Sequence, residues 1–213
     1  MSSPRILIVK TSSMGDIVHA LPLVSDLATH VPGAHIEWVL EEGFAPIPRL
    51  HPAVERVHTV ALRRWRKQPF AADTWCELCA ARAELRVQPY DRIIDCQGLA
   101  KSAWVAHWAR GPRTGLDRAS AREPLAAFFY GQRVRVPRSQ HAVARNRALG
   151  AAAFGYVPDA KPRFALRVPD LPAGLIGDAP CESLGGVDQA PSAEAVIAAA
   201  ARVMHGAGAR HAG

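Results

Sequence analysis

Short apolar runs alternate with helix-spaced segments along the first 154 residues, and that alternation constrains the fold more than any single motif does. Residues 5–9, 36–40, 56–60, 92–95 and 133–136 are each four or five residues long and rich in Val and Ile. Runs of this kind suit strands buried on both faces of a parallel sheet. Residues 17–29, 71–86, 99–108, 124–130 and 141–154 carry helical patterns. In the first of these, Ile17, Leu21, Val24 and Leu27 fall on one helical face, and Pro22 must lie within the opening turns. The expected fold class is α/β: a Rossmann-like, doubly wound parallel sheet with helices on both faces.

The chain of 213 residues suffices for one domain of common size plus a tail, and is short for two full nucleotide-binding domains. Residues 156–177 hold Pro158, Pro162, Pro169 and Pro172, which mark a boundary or linker. The expected division is a Rossmann-like domain over 1–168 and a linker with a C-terminal tail helix over 169–213, where Ser192 would cap a helix from Ala193 to Met204.

No apolar stretch reaches the ~18 residues that read as a membrane span, and no cleavable leader is evident, so the expected location is cytoplasmic. Four cysteines in such a chain read as reduced thiols. Cys76 and Cys79 form a CxxC inside a helical stretch, without a second Cys/His pair to complete a zinc site, and are expected to be semi-buried helix residues. The net charge of +7 is uneven. Residues 63–147 hold 17 Lys and Arg against seven Asp and Glu, whereas residues 168–213 hold two against five. The excess is mostly arginine, which suits bidentate recognition of phosphate or carboxylate.

Chemistry concentrates where the first strand meets the first helix, the end of a parallel sheet at which open α/β folds bind ligands. Lys10-Thr11-Ser12-Ser13-Met14-Gly15-Asp16 fills that junction. Its single glycine and missing Gly-Lys-Ser/Thr ending exclude a P-loop and a dinucleotide fingerprint. Ser13 and Asp16 have capping-box spacing, and a carboxylate at a helix start interacts favourably with the helix dipole. Capping and catalysis are both open to Asp16, and one does not exclude the other.

The opening string through Pro22, with Trp38-Val39-Leu40-Glu41-Glu42-Gly43-Phe44, Arg63-Arg64-Trp65-Arg66-Lys67, Asp95-Cys96-Gln97-Gly98-Leu99-Ala100-Lys101-Ser102, Ala121-Arg122-Glu123-Pro124-Leu125-Ala126 and Gln140-His141-Ala142-Val143, resembles the ADP-heptose glycosyltransferases of the lipopolysaccharide heptosyltransferase I family. The resemblance covers residues 4–168. It implies one half of a GT-B fold, the acceptor-binding half, with 169–213 as a remnant of the donor domain. It implies an inverting transfer of L-glycero-D-manno-heptose from ADP-heptose to Kdo of Kdo-lipid A, at the inner face of the inner membrane, without nicotinamide, flavin or metal. On this expectation the chain alone is inactive or very weak.

By the same resemblance Asp16 is the general base, a role worth about 10² to 10⁴ in rate. Ser12, Ser13, Gly15, Arg63, Arg64, Arg66, Lys67, Gln97, Arg122 and His141 are acceptor-site candidates. Four cations in residues 63–67, at about 1 kcal/mol each near an anionic surface, supply ~4 kcal/mol, nearly a thousandfold in affinity. A solvated loop is the plain alternative, against which Trp65 reads as an exposed sugar- or lipid-facing platform. Gln97 and Lys101 suit ligand contact or structural hydrogen bonding equally. His19 reads as a structural histidine, and Glu42 lies in a matched block. Arg133, Arg135 and Arg138 read as a general electropositive face towards an anionic leaflet. The alternative function is a non-catalytic binder of anionic glycolipid or membrane. No nucleic-acid motif accompanies the basic charge, so no nucleic acid is expected.

Overall fold

A computed structural model describes residues 3–167. The expected tail, with Ser192 and the helix from Ala193 to Met204, lies outside the described residues, as does Cys181.

Six strands form one parallel sheet: β1 (Arg5–Val9), β2 (His35–Glu41), β3 (Val54–Val60), β4 (Arg92–Asp95), β5 (Arg113–Leu116) and β6 (Gln132–Val134). Their order is β3-β2-β1-β4-β5-β6. The chain winds outward from β1 on one side and from β4 on the other, which makes the gap between these two strands the topological switch point.

Alternate side chains along each strand feed two cores, as strand geometry requires. Ile6, Ile8, Ile36, Trp38 and Ile94 face a layer built by α1 (Met14–Val18), α2 (Leu21–His30), α3 (Pro46–Arg49) and α7 (Ala142–Phe154). Leu7, Val9, Val39 and Ile93 face the layer of α4 (Leu62–Trp65), α5 (Ala72–Glu84) and α6 (Ala100–Trp108). The expected α/β class with helices on both faces is what the chain adopts.

α2 and α7 are held together by a buried, bidentate ion pair: Arg147 Nε and Nη2 donate to the two oxygens of Asp26 at 2.7 and 2.9 Å. Asn146 Nδ2 adds a bond to the carbonyl of His19 at 3.0 Å. In the other layer, Glu37 accepts from Tyr90 Oη and meets His58 Nε2, both at 2.7 Å. Burial pushes Glu37 up, but hydrogen bonds from His58, Arg5 and Tyr90 outweigh it and bring the carboxyl down to about 2.

Several elements depart from expectation. The segment 17–29 is two helices, because Pro22 has no N–H to give and sits in the first turn of α2 instead of inside one long helix. Residues 124–130 form a 3₁₀ helix, Pro124–Phe129, rather than an α-helix. The last strand is Gln132–Val134, earlier than 133–136, and β5 was not anticipated. Residues 156–167 lack regular structure yet pack back on the domain: Phe164 is buried in the core and the Arg167 N–H donates to Leu50 O at 2.8 Å. That stretch is part of the domain and not a free linker. Cys76 and Cys79 do lie on α5, but both are exposed rather than semi-buried.

Candidate active site

The loops that follow β1 and β4 meet at the switch point. Asp16, in the first turn of α1, is half-buried, and its Oδ2 accepts from the Ser13 backbone N–H at 3.1 Å and from Ser13 Oγ at 3.4 Å. This is the carboxylate half of a capping box. Arg122 Nη1 lies 3.7 Å from the same oxygen. Oδ1 has no hydrogen-bond partner among the described residues. One oxygen therefore fixes the carboxylate, and the other remains able to take a proton.

Beneath the loop the supports are buried. Lys10 Nζ donates to Cys96 O at 2.9 Å, and burial lowers this lysine below its ordinary value. The Ser12 N–H donates to Gln97 Oε1 at 3.3 Å, tying the β1 loop to the β4 loop. Asp95 is wholly buried; its Oδ1 accepts from the N–H groups of Gln97 and Gly98 at 2.8 and 3.3 Å, and its Oδ2 accepts from Tyr130 Oη at 2.7 Å. Burial pushes Asp95 up against the pull of those bonds. Gly98 has φ +67°, a conformation that glycine tolerates, and a Cβ there would stand 3.5 Å from the Arg122 backbone nitrogen. That distance is ordinary contact, so it is the left-handed backbone of the β4 turn, over which the segment carrying Arg122 lies, that calls for glycine.

Arginine gathers on one side of Asp16. Arg138 Nη2 donates to Ala121 O, and Arg145 Nη2 donates to Ser120 O at 2.7 Å, so both bind the loop that carries Arg122 through its carbonyls rather than through acids. Arg145 Nε is buried without a partner among the described residues. Burial, and then the neighbouring charges of Arg138 and Arg122, lower Arg145 from its ordinary value. Two cations with backbone partners, and a third, Arg122, beside the one carboxylate of Asp16, leave positive charge uncompensated, which suits an anionic ligand. The His19 and His141 rings meet edge to face at 5.2 Å, and burial followed by the His141 charge lowers His19.

The basic segment is more ordered than a loop. Its first residues form α4, and Glu41, buried at the end of β2, accepts from the Arg63 N–H at 3.0 Å. Arg64 is fixed between Glu42 and Glu77 at 3.2 and 2.8 Å. Trp65 is 7% exposed, and its Nε1 donates to Glu77 at 2.7 Å, so it is no exposed platform. Its indole is held in the α4–α5 packing because α5 supplies both an apolar wall and an acceptor. Arg63, stacked over Phe44, lines a cavity of about 450 Å³ with Lys67, Glu41 and Gly43.

A family model, Glycosyltransferase family 9 (heptosyltransferase), matches residues 78–174. The chain is 51% identical to lipopolysaccharide heptosyltransferase 1 of Escherichia coli (strain K12) over 153 residues, 71% of this chain and 48% of that protein. It is 50% identical to the enzyme of the same name from Pseudomonas aeruginosa over 153 residues, 71% of this chain and 43% of that one. The solved structure of E. coli heptosyltransferase WaaC with ADP-2-deoxy-2-fluoro heptose matches with a TM-score of 0.74 and 48% identity, over 76% of this chain and 52% of that chain. This chain belongs to the heptosyltransferase family. It spans about half the length of the curated relatives it matches.

Of the residues that the heptosyltransferase resemblance singled out, the fold brings Ser12, Ser13, Gly15, Asp16, Gln97 and Arg122 to one crevice. Within it Ser12 and Gln97 are buried and bonded to each other, a structural role, while Ser13, Gly15 and Asp16 reach the surface. His141 caps α7, its Nδ1 accepting from the Val143 N–H at 3.3 Å. Arg63, Arg64, Arg66 and Lys67 stand together at the end of β3, beyond the switch point. Sequence reasoning missed Lys10, Asp95, Tyr130 and Arg145, and took Arg138 for general surface charge. A lysine directly after one apolar strand and an aspartate at the end of another were the local signals for Lys10 and Asp95.

Proposed function

We propose that this domain supplies the acceptor half of a heptosyltransferase, taking part in transfer of L-glycero-D-manno-heptose from ADP-heptose to Kdo of Kdo-lipid A. In that reaction an acceptor hydroxyl attacks the anomeric carbon of the donor. The bond to the ADP leaving group breaks, and the hydroxyl proton passes to Asp16. The observation that carries the reading is the Asp16 carboxylate, fixed through Oδ2 with Oδ1 open, at the switch point beside uncompensated arginine charge. Arg122, Arg138 and Arg145 hold the acceptor's sugar acid or phosphate there, and Arg63, Arg66 and Lys67 hold a second anionic group. A donor with an ADP moiety is supported by the relative solved with ADP-2-deoxy-2-fluoro heptose. A lipid-linked acceptor implies work at the inner face of the inner membrane as a peripheral protein; no helix among the described residues is long and apolar enough to cross a membrane.

The test replaces the matching region of the E. coli relative with residues 1–167 of this chain and measures heptose transfer to Kdo-lipid A. Asp16→Ala should lower the rate at least a hundredfold, within the span of general-base catalysis. Binding of Kdo-lipid A to the isolated chain should change little. A variant that kept more than about a tenth of the rate would reject Asp16 as the base.

A further inference from the structure

The acceptor reading leaves one conspicuous surface unused. Phe70 is 94% exposed in the connection between α4 and α5, Trp75 is 57% exposed on α5, and Trp104 is 43% exposed on α6. Trp75 and Trp104 line one shallow apolar groove of about 270 Å³, floored by Trp65 and Leu78, and Arg66 stands among its lining side chains. Arg63 and Lys67 lie on the other side of α4. Arg66 and Lys67 have no acidic partner among the described residues, whereas the nearby Glu77 is already engaged by Arg64 and Trp65.

Single exposed apolar residues are ordinary, but three large aromatics on one layer, bordered by unpaired cations, mark an interaction surface. The choice of partner follows from shape and charge. Phe70 is a knob with nothing packed on it, which suits a soft, apolar medium more than a shaped socket. Tryptophan favours the boundary between headgroups and hydrocarbon, where its ring is apolar and its N–H is wet. Arg63, Arg66 and Lys67, opposed by Asp73 in the first turn of α5, complement anionic headgroups.

We propose that Phe70, Trp75 and Trp104, flanked by Arg63, Arg66 and Lys67, form the face by which this domain docks on an anionic lipid bilayer. The inference rests on the reading of a lipid-linked acceptor and adds to it the surface that meets the membrane. Because Arg66 borders the docking face while its neighbours Arg63 and Lys67 border the cavity beside Glu41, the acceptor headgroup can reach the protein without its acyl chains leaving the bilayer.

Co-sedimentation of the full chain with phosphatidylcholine vesicles containing about one-third phosphatidylglycerol, and no glycolipid, tests the surface apart from acceptor binding. The wild-type chain should partition to these vesicles, and lipids brominated in the acyl chain should quench its tryptophan fluorescence. Phe70→Ser with Trp75→Ser should lower the partition coefficient at least tenfold. Val157→Ser, which removes a side chain 84% exposed in the irregular stretch that follows α7, should leave it unchanged. Circular dichroism melts of both variants establish that the fold persists. Equal partition of the double variant and the wild type would overturn the proposal, as would failure of the wild type to bind. A wild-type dimer that becomes monomeric in the double variant, without vesicle binding, would assign the face to a second copy of the chain instead. Binding of a deacylated acceptor is unaffected by any of these outcomes, so failure here leaves the acceptor reading standing.

Discussion

His51 offers a test of the packing between α2, α3 and β3 that can be worked to a magnitude. The ring is 2% exposed. Its Nδ1 accepts from the Ala53 N–H at 3.2 Å, so the ring proton belongs on Nε2, which donates to Ser25 Oγ at 2.8 Å. A second proton would place an N–H against the Ala53 N–H, and burial already pushes the imidazole down to about 4. In the unfolded chain the value is near 6.5. Because the folded value is the lower one, the unfolded state binds the extra proton first as pH falls, and stability drops between about 6.5 and 4. The full interval is worth about 3 kcal/mol, and the part between pH 7 and pH 5 about 2 kcal/mol. His51→Asn keeps an acceptor for Ala53 and removes the titration. Urea unfolding at pH 7 and pH 5 should show the wild type losing about 2 kcal/mol more than the variant over that span. The same pH dependence in both proteins, or ring protonation of the folded wild type near pH 6 by NMR, would refute the reasoning.

Gly115→Ala places a Cβ 2.4 Å from the Tyr130 ring, so it should destabilise the domain by about 1–3 kcal/mol in thermal melts and displace the Tyr130 bond to Asp95. Replacing Arg63, Arg66 and Lys67 together by Ala should weaken binding of Kdo-lipid A and flatten its salt dependence with little change in melting temperature, since exposed charges add little to stability; unchanged affinity at low salt would remove this segment from the acceptor site. Arg64 is left out of that set because its guanidinium already bridges Glu42 and Glu77. Calorimetric titration of the chain with ADP should show no saturable micromolar binding, because the loop after β1 has one glycine and an acidic side chain where a phosphate cradle needs open N–H groups; saturable binding would return donor recognition to this polypeptide.

The strands β1, β2 and β4 were legible because each holds a compact run of apolar residues, β3 because Val recurs at intervals between polar residues, and the crevice followed from the loop beside the first of them. β5 was not, since Arg-Thr-Gly-Leu has no apolar run, and Gly115 is there to clear the Tyr130 ring, a contact from 15 residues further along. The single-helix expectation for 17–29 gave Pro22 a place inside a helix when it needed one at a helix start. Trp65 misled because four cations surround it in sequence, whereas its burial is decided by Glu77 and the apolar side of α5. Arg138 and Arg145 acquire meaning only when the loop bearing Arg122 folds between them and Asp16. Local pattern carried the scaffold and the position of Asp16 at the first strand-to-helix junction; tertiary approach decided which charges stand beside it.

The ion pair between Asp26 and Arg147 has a temporal meaning as well as a spatial one. The partners are 121 residues apart in sequence. During synthesis from the N-terminus, α2 leaves the ribosome long before α7 exists, and although β1 and β2 can cover part of its apolar side, the surface that α7 covers and the Asp26 carboxylate have nothing to close against. The first core can seal only when nearly all of the described domain has emerged, so the nascent chain passes through a prolonged half-covered stage in which a chaperone competes with collapse. The guanidinium that pairs with Asp26 is among the last groups of the first core to arrive, so the bond between α2 and α7 closes late in the making of the domain.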